Sequence, residues 1–264
     1  MVLSPLASSY DQFILDLDGC VWVAGVPTPG IVDALEALRQ AQKRIAFVTN
    51  NAYESGEELV AQLWRIGVRA SLRDMVTVGG AMQHVLADHH SGRTAFVIGT
   101  SSMLRHVSDA GLKVLNVTDL ASRAEVVVVA GTTDLVYDDL RNAVQAVLRG
   151  ASLLATARDP TYPQADGHWP GTGSILAAVE YATGARAELV GKPEPQLLLT
   201  ALDRLGEGRT LVVGDRVDSD LAAASAAGLD AAYVLSGGDR AALDGFEPRP
   251  VAVGETLAEL LVDD

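Results

Sequence analysis

Short runs of β-branched and other apolar residues alternate along the chain with segments whose apolar residues recur at helical spacing. The runs that predict strands are QFILD, RIAFVTN, TAFVIGT, AEVVVVAGT, ASLLATA, AELVGK, TLVVGD and AAYVLSG. Between the second and third of these runs, Leu59, Leu63 and Ile66 share one predicted helix face. Nearly continuous apolar strands that alternate with helices are typical of a parallel sheet covered on both faces. The pattern therefore predicts an α/β fold with a doubly wound parallel sheet.

The polar residues that follow these strands fall in two separated parts of the chain. They lie before about residue 80 and after about residue 187, and the stretch between them carries strands and helices of its own. The sequence shows no internal repeat and no Pro- or Ser-rich linker, so the boundary rests on this distribution. We predict a Rossmann-like core made of residues 1–78 and 187–264, with residues 79–186 inserted as an α/β cap domain.

Composition and charge narrow the classes of partner. The 264 residues carry a formal net charge of −14 at pH 7. Binding of a nucleic-acid backbone needs a concentrated basic surface, so we expect no nucleic-acid partner. The sequence has no signal-peptide pattern and no apolar run long enough to cross a bilayer, so we expect no membrane partner. Cys20 is the single cysteine, which favours a reducing compartment, and we predict a cytoplasmic protein.

Polar residues occupy the ends of four predicted strands. Asp16 and Asp18 follow the first strand, and Thr49 ends the second. Lys192 follows a later strand, and Asp215 follows the next one. In open α/β sheets, ligands bind outside the carboxyl ends of the strands. We therefore expect these side chains to converge on one crevice.

Crowded carboxylates repel one another, and a hard divalent cation relieves that repulsion. Magnesium takes carboxylate, water and phosphate oxygens as ligands, which suits Asp16 and Asp215 as direct ligands with Asp220 in support. The Lys192 ammonium and the Thr49 hydroxyl suit phosphate oxygens. The predicted cofactor is therefore Mg²⁺, and the predicted chemistry is phosphoryl transfer.

An aspartate can attack a phosphoryl group and form an acyl phosphate. One carboxylate must then attack, and another must move the proton. Asp18, two residues beyond Asp16, is placed to protonate the leaving oxygen and then to deprotonate the hydrolytic water. Gly19 lets the backbone turn sharply after them.

Four segments match the motifs of one known family, in that family's order. They are LDLDG, FVTNN, VGKPEP and VGDRVDSD, each at the end of a predicted strand. With them the sequence resembles the haloacid dehalogenase superfamily of phosphatases, specifically the p-nitrophenyl-phosphatase-like enzymes with a large α/β cap. The match covers almost the whole chain from Phe13 onward. A single DxDG is a weak signal, but four motifs in order are specific.

The resemblance implies roles for the first three motifs. Asp16 is implied to be the nucleophile, and Asp18 the general acid and base whose backbone carbonyl also binds Mg²⁺. We predict Thr49, Asn50 and Lys192 as the phosphate-binding residues.

In the fourth motif, the resemblance implies Asp215 on the metal and Asp220 in support of the site. The sequence departs from the family at three places. Cys20 stands where threonine is usual, Ala52 where serine is usual, and Ala157-Arg158 where the cap commonly has Asn-Pro. The last departure bears on substrate identity.

Discrimination between substrates must come from outside these motifs, because they address only the phosphoryl group. We predict that the cap sets specificity, above all residues 155–163. Asn51, Arg158 and Tyr162 are the candidate specificity residues, and Arg158 and Tyr162 are equally compatible with plain surface positions. Glycerol phosphate, sugar phosphates and nucleotide-type metabolites are all implied by the family, and the sequence does not choose among them.

The main prediction is a magnesium-dependent phosphatase that hydrolyses small-molecule phosphomonoesters through an aspartyl-phosphate intermediate. The alternative is a non-catalytic protein on the same fold that binds or senses a phosphorylated metabolite. A dinucleotide- or nucleotide-binding module would need G-x-G-x-x-G or G-x-x-x-x-G-K-[ST], and neither pattern follows the relevant strands. Asp218 and Asp220 also suit the N-cap of the next helix. The resemblance is compatible with a cap-mediated homodimer.

Overall fold

The computed structural model describes residues 2–164 and 166–263, apart from the side chain of Pro163. The strands are β1 (Val2–Leu3), β2 (Gln12–Leu15), β3 (Trp22–Val23), β4 (Val26–Pro27), β5 (Arg44–Thr49), β6 (Met75–Thr77), β7 (Thr94–Ile98), β8 (Lys113–Val114), β9 (Val126–Val129), β10 (Ser152–Ala155), β11 (Thr161–Gln164), β12 (Gly167–Pro170), β13 (Glu188–Leu189), β14 (Thr210–Gly214), β15 (Asp230–Val234), β16 (Ala252–Gly254) and β17 (Val262–Asp263). The helices are α1 (Pro5–Ser8), α2 (Ile31–Gln40), α3 (Gly56–Arg65), α4 (Val78–His90), α5 (Ser101–Asp109), α6 (Tyr137–Leu148), α7 (Thr172–Thr183), α8 (Gln196–Leu205), α9 (Ala222–Ala226) and α10 (Leu257–Leu261). Short 3₁₀ turns span Leu72–Asp74, Ala121–Arg123 and Arg240–Leu243, and a π-helical turn spans Val217–Leu221.

The chain divides into two compact units. The first unit comprises Met1–Thr49, Gly56–Val76 and Lys192–Asp264, and the second comprises Asn50–Ser55 and Thr77–Gly191. The sequence places the inserted domain over 79–186, a few residues inside this division at both ends, and does not anticipate the short segment 50–55. The predicted ranges also include Met1, Ala165 and Asp264, which lie outside the described residues.

A six-stranded sheet forms the centre of the first unit, in the order β16-β15-β14-β2-β5-β6. Strand β2 lies between β14 and β5 and is parallel to both, and all four of its residues are buried. A strand buried on both faces needs apolar side chains at successive positions, which explains the unbroken run Phe13-Ile14-Leu15. The predicted α/β fold with a parallel-sheet core is therefore confirmed.

Helix α2 shows how the layers are held against this sheet. Its buried face includes Ile31, Ala34, Leu35 and Leu38, which recur at helical spacing. Full burial of a leucine or isoleucine side chain contributes about 1.5 to 3 kcal/mol relative to leaving it exposed. These residues belong to one cluster with Phe13 and the other inward-facing residues of β2 and β14.

The second unit is built on its own parallel sheet, in the order β13-β10-β9-β7-β8. Its middle strand, β9, consists of four valines that are all fully buried. A separate antiparallel hairpin, β11 with β12, pairs Tyr162 with Trp169. Among the described residues, no helix has both the length and the apolar character needed to cross a membrane.

Candidate active site

The end of β2 leads directly into a tight turn that carries the first two aspartates. The Asp16 N–H donates to the Val213 carbonyl over 3.0 Å, which continues the sheet pairing by one residue. The Leu17 carbonyl then accepts from the N–H groups of Val21 and Trp22, and Gly19 has a φ of +89°. A side chain is strained in that left-handed region, so the turn requires glycine. The turn therefore places Asp16 and Asp18 together at the carboxyl end of β2.

Lys192 lies between two buried carboxylates of the first unit. Its ammonium donates to Asp16 Oδ1 over 2.7 Å and to Asp220 Oδ1 over 2.5 Å, and its side chain is 4% exposed. Burial lowers the pKa of this ammonium, but the two carboxylates more than offset that effect and raise it above its ordinary value. Lys192 is therefore a charged member of the site and not a solvated loop residue.

The pKa of Asp16 is raised, whereas pairing with a cation ordinarily lowers the pKa of a carboxyl group. Burial raises its pKa to about 8, while the Lys192 ammonium lowers it and the Asp220 carboxylate raises it further. A carboxylate that is costly to ionise inside the protein needs nearby positive charge. One ammonium shared between two carboxylates leaves this cluster short of positive charge.

Asp220 both holds Lys192 and closes the turn that follows β14. Its second oxygen accepts over 3.0 Å from the N–H of Arg216, the N-cap residue of the π-helical turn Val217–Leu221. A Cβ on Gly214 would lie 2.2 Å from the Cβ of Asp220, so only glycine lets this side chain lie against the strand end. Asp218, by contrast, is exposed and pairs with Arg216 over 3.1 Å. Neither aspartate is the N-cap that the sequence suggested, because Arg216 occupies that position in the π-helical turn and Leu221 occupies it in α9. Asp220 contacts the site instead.

Asp215 offers a buried oxygen without a hydrogen-bond partner among the described residues. That atom is Oδ1, in a residue that is 7% exposed. Burial, together with the Asp220 and Asp16 carboxylates, raises the pKa of Asp215 well above its ordinary value. One donor atom each from Asp16, Cys20 and Asp215 lies within 4.8 Å of the other two. The two carboxylate oxygens of this group, from Asp16 and Asp215, fit a hard divalent cation.

The Cys20 thiol does not share the chemistry of its neighbours. The residue is fully buried, and burial together with the Asp215 and Asp16 carboxylates raises the pKa of its thiol well above the ordinary value. A thiol held in its protonated form is a poor nucleophile and a poor metal ligand. The buried Cys20 side chain therefore contributes to packing and not to the chemistry of the site.

Sequence reasoning missed a loop after β15 that touches the same site. The Ser236 hydroxyl donates to the Gly19 carbonyl over 2.5 Å. A Cβ on Gly237 would lie 2.3 Å from Asp215 Oδ2 and 2.5 Å from the Cα of Gly19. A Cβ on Gly19 would itself lie 2.1 Å from Asp215 Oδ2. Gly19 and Gly237 therefore form a cradle for the Asp215 carboxylate, because a side chain at either position would occupy the space of that carboxylate.

The indole of Trp22 was also missed, although it stands only four residues beyond Asp18. Its Nε1–H donates to Asp18 Oδ1 over 2.9 Å, and the ring is buried. Trp22 begins the hairpin of β3 and β4 that directly follows the aspartate turn. Position is the only sequence signal for either feature, because Ser236 and Gly237 end the predicted run AAYVLSG and Trp22 lies four residues beyond Asp18.

The second sequence motif is divided between the two units. Thr49 ends β5 in the first unit and is buried, whereas Asn50 and Asn51 begin the short segment of the second unit. The Asn51 side-chain carbonyl accepts from the backbone N–H groups of Tyr53 and Glu54 over 2.9 and 3.3 Å. This is the hydrogen bonding of an Asx turn, so Asn51 stabilises the loop in which it lies. Its contact with substrate stays a prediction, as does the phosphate contact of Thr49 and Asn50.

Arg158 and Tyr162, which the sequence predicts to contact the substrate, have partners within the second unit. Arg158 forms a bidentate pair with Glu180, with N–O distances of 2.8 and 2.7 Å. The Tyr162 ring lies 4.8 Å from that of Tyr53 and 6.4 Å from that of Trp169. Both side chains therefore have an evident structural role, and their part in specificity stays a prediction.

Comparison with known proteins places this geometry in a family. A model of haloacid dehalogenase-like hydrolases matches residues 13–113, and a second model, described as HAD-hydrolase-like, matches residues 189–260. The chain is 36% identical over 266 residues to a D-glycerol 3-phosphate phosphatase of Mycobacterium tuberculosis, which covers 99% of this chain and 74% of that protein.

Solved structures agree with this assignment. A glycerol phosphate phosphatase of M. tuberculosis in complex with magnesium superposes with a TM-score of 0.88 at 36% identity, covering 99% of this chain and 79% of the other. A p-nitrophenyl phosphatase from Archaeoglobus fulgidus gives a TM-score of 0.85 at 29% identity, covering 96% and 98%. The chain belongs to the haloacid dehalogenase-like hydrolase family.

Proposed function

We propose that this protein is a magnesium-dependent phosphatase that hydrolyses small-molecule phosphomonoesters through a phosphorylated Asp16. The observation that carries the proposal is the buried cluster in which Lys192 bridges Asp16 and Asp220 beside the unpartnered oxygen of Asp215. A structural ion pair would leave no such oxygen, because buried acceptors are normally satisfied. The relatives named as phosphatases support the same activity.

Magnesium fits the donors that this chain presents. Asp16 and Asp215 would hold it, and the cradle formed by Gly19 and Gly237 keeps the Asp215 carboxylate in place. The backbone carbonyl of Asp18 is the further ligand that the family resemblance implies. When bound, the ion supplies the positive charge that lets the crowded carboxylates ionise and that neutralises phosphate oxygens. One similar structure contains magnesium, which supports this choice of cation.

Asp16 is the proposed nucleophile. One of its carboxylate oxygens forms a bond to the phosphorus atom while the bond from phosphorus to the ester oxygen breaks, and the product is an aspartyl phosphate. Lys192 fixes the orientation of Asp16 through the bond to Oδ1 and contributes positive charge close to the phosphoryl oxygens. Asp220 in turn holds Lys192, so the nucleophile is positioned through two successive buried contacts.

Asp18 is the proposed proton carrier. It gives a proton to the departing alcohol oxygen, and it then takes one from a water molecule. The oxygen of that water forms a bond to phosphorus while the bond from phosphorus to the Asp16 oxygen breaks. The Trp22 indole, which donates to Asp18 Oδ1, restricts the rotation of this side chain. After the second step the Asp16 carboxylate is restored, Asp18 carries a proton again, and phosphate is released.

We further propose that the second unit acts as a cap that determines which alcohol is accepted. The motif residues of the first unit are proposed to bind and attack the phosphoryl group, which all phosphomonoesters share. Selectivity among the alcohol groups must therefore come from other parts of the chain. The relative named for D-glycerol 3-phosphate favours a short polyol phosphate as the substrate class. Asn51, Arg158 and Tyr162 are the residues proposed for this role. A cytoplasmic location and a homodimer stay predictions.

The proposal is tested by measuring phosphate release from a panel of phosphomonoesters, which includes glycerol 3-phosphate, a hexose phosphate and a nucleoside monophosphate. We expect turnover that a chelator removes and added Mg²⁺ restores, with one substrate class preferred. Full turnover in excess chelator would rule out the metal assignment. Binding of panel members with no phosphate release in Mg²⁺ would favour the alternative of a sensor or binding protein on this fold.

A further inference from the structure

A cavity lies in the first unit, at the end of the sheet opposite the carboxylate cluster. It has a volume of about 710 Å³, which is in the range of small-molecule sites. Its charged lining consists of Arg39, Lys43, Arg44, Arg73, Arg204 and Asp74. Five cations around a single carboxylate stand out in a chain whose net charge is −14.

The cavity is separated from the carboxylate cluster by the length of a strand. Arg44 begins β5, and Thr49 ends it at the carboxyl edge of the sheet. At about 3.3 Å per residue, the two positions are roughly 16 Å apart. The cavity is therefore a distinct place in the fold and not an extension of the proposed catalytic site.

Most of these cations are held in position by backbone carbonyls and not by carboxylates. Lys43 donates to the carbonyls of Ser8 and Tyr10, and Arg44 donates to those of Leu205 and Glu207. Arg204 donates to the Met75 carbonyl. A carbonyl fixes the side chain but does not cancel its charge. The cations are therefore ordered while their positive charge stays available to a ligand.

Arg39 is held in the same way, by the carbonyl of Arg69. Burial lowers the pKa of the Arg39 guanidinium, and the Asp74 carboxylate partly offsets this. Asp74 itself accepts from the backbone N–H and the hydroxyl of Ser71 over 2.8 and 2.9 Å, in the cap of the turn Leu72–Asp74. The one acidic group of the cavity is therefore already engaged in its own turn.

Helix ends account for only part of this arrangement. Arg39 and Arg204 lie in the last turns of α2 and α8, where a cation offsets the negative end of the helix. Lys43 and Arg44 lie outside these helices, and exposed Arg73 lies in the 3₁₀ turn before β6. The positive charge at the cavity therefore exceeds what the two helix ends require.

We propose that this cavity binds a small polyanion, of the class of compounds that carry two or more phosphate groups. Several fixed guanidinium groups match phosphate oxygens through paired N–H donors, which a single anionic charge would not use fully. Leu72 and Leu205 add apolar lining that an organic part of the ligand would cover. The proposal does not depend on the catalytic activity, since no residue of the cavity belongs to the carboxylate cluster.

The test uses tripolyphosphate as the probe and calorimetric titration of the full chain at constant ionic strength. A chelator is present, so that any metal-dependent binding at the carboxylate cluster is removed. We expect one binding site per chain with a dissociation constant below about 1 mM. Arg73→Glu should weaken binding about tenfold or more, and Arg73→Gln, which removes the charge without reversing it, should weaken it by less. Arg73 is exposed, so both variants should keep the fold.

Arg105→Glu is the matched control, because it reverses an exposed arginine of α5 outside the cavity and changes the net charge equally. We expect it to change the dissociation constant less than about twofold. Absence of binding to the unmodified chain would overturn the proposal. Equal weakening by Arg73→Glu and Arg105→Glu would also overturn it, since the probe would then be responding to net charge alone.

Discussion

Replacing Glu180 by glutamine tests whether Arg158 is primarily a structural residue of the second unit. Glu180 is 12% exposed and accepts both bonds of the Arg158 guanidinium, which is 27% exposed. The same carboxylate accepts from the Ala187 N–H over 2.7 Å. Glutamine keeps the shape of the side chain but turns one accepting oxygen into an amide group that cannot accept from the guanidinium.

The expected cost follows from these contacts. A hydrogen bond to a charged partner contributes about 1.5 to 3 kcal/mol, and breaking a fully buried ion pair costs about 3 to 5 kcal/mol. The pair is partly exposed, and glutamine retains one acceptor, so the lower end of the range applies. We predict that Glu180→Gln lowers the free energy of unfolding by about 2 kcal/mol at neutral pH.

The pH dependence of this loss gives a second, independent signature. The hydrogen bond from Arg158, against the opposing effect of burial, lowers the pKa of Glu180 from its ordinary value of 4.5 to about 2. A carboxyl with a lowered pKa stabilises the folded state above its unfolded-state pKa, and that contribution is lost as the pH falls toward the folded-state value. The difference between the two proteins should therefore be constant from pH 7 to about 5. Below about pH 4.5 the difference in the free energy of unfolding should decrease by about 1.4 kcal/mol per pH unit until the two proteins are equally stable.

The assay is urea unfolding followed by far-ultraviolet circular dichroism at pH 7, 5 and 3.5. Glu188→Gln, which changes an exposed carboxylate of the same unit, is the control and should leave the midpoint nearly unchanged. A loss below about 0.5 kcal/mol in Glu180→Gln, which is the ordinary scale of surface substitutions, would refute the structural role of the pair. A loss that does not narrow at pH 3.5 would refute its electrostatic origin.

Three further predictions concern the proposed reaction. Asp18→Asn should reduce kcat by about 10² to 10⁴ with an ester of a poor leaving group, and near-normal turnover would exclude Asp18 as the proton carrier. Gly237→Ala should weaken Mg²⁺ binding about tenfold or more in calorimetric titration, because its methyl group would lie 2.3 Å from the oxygen of Asp215, and an unchanged affinity would contradict the cradle. Arg158→Ala and Tyr162→Ala should change the ratios of kcat/KM among natural phosphomonoesters but not turnover of p-nitrophenyl phosphate; constant ratios would remove both residues from specificity.

The central strands of both sheets could be predicted from sequence because each is an unbroken apolar run. Strand β9, with four consecutive valines, is the clearest case. Strands β6 and β16 were not predicted, since edge strands of three residues carry too few side chains to show a pattern. The hairpin β11–β12 was missed as well, because each of its strands contains a proline and only one large apolar residue.

The clustering of Asp16, Lys192, Asp215 and Asp220 could be expected because parallel strands end at one edge of a sheet. Contacts that depend on the paths of loops could not be expected from the sequence. The cradle formed by Gly237 requires knowing that the loop after β15 returns to the turn after β2. Arg158 posed the same difficulty, because its partner Glu180 lies 22 residues away on a helix and no spacing rule connects them.

The central claim is that the reaction passes through phosphorylated Asp16, and trapping of that intermediate tests it most directly. An acyl phosphate is reduced by borohydride to an alcohol, whereas a free carboxylate is not, so a quench during turnover converts phosphorylated aspartate to homoserine. Peptide mapping of the quenched protein should find homoserine at position 16, only when both substrate and Mg²⁺ are present. Asp16→Asn should show neither the product nor turnover. Homoserine at another aspartate, or turnover by Asp16→Asn at the normal rate, would contradict the mechanism.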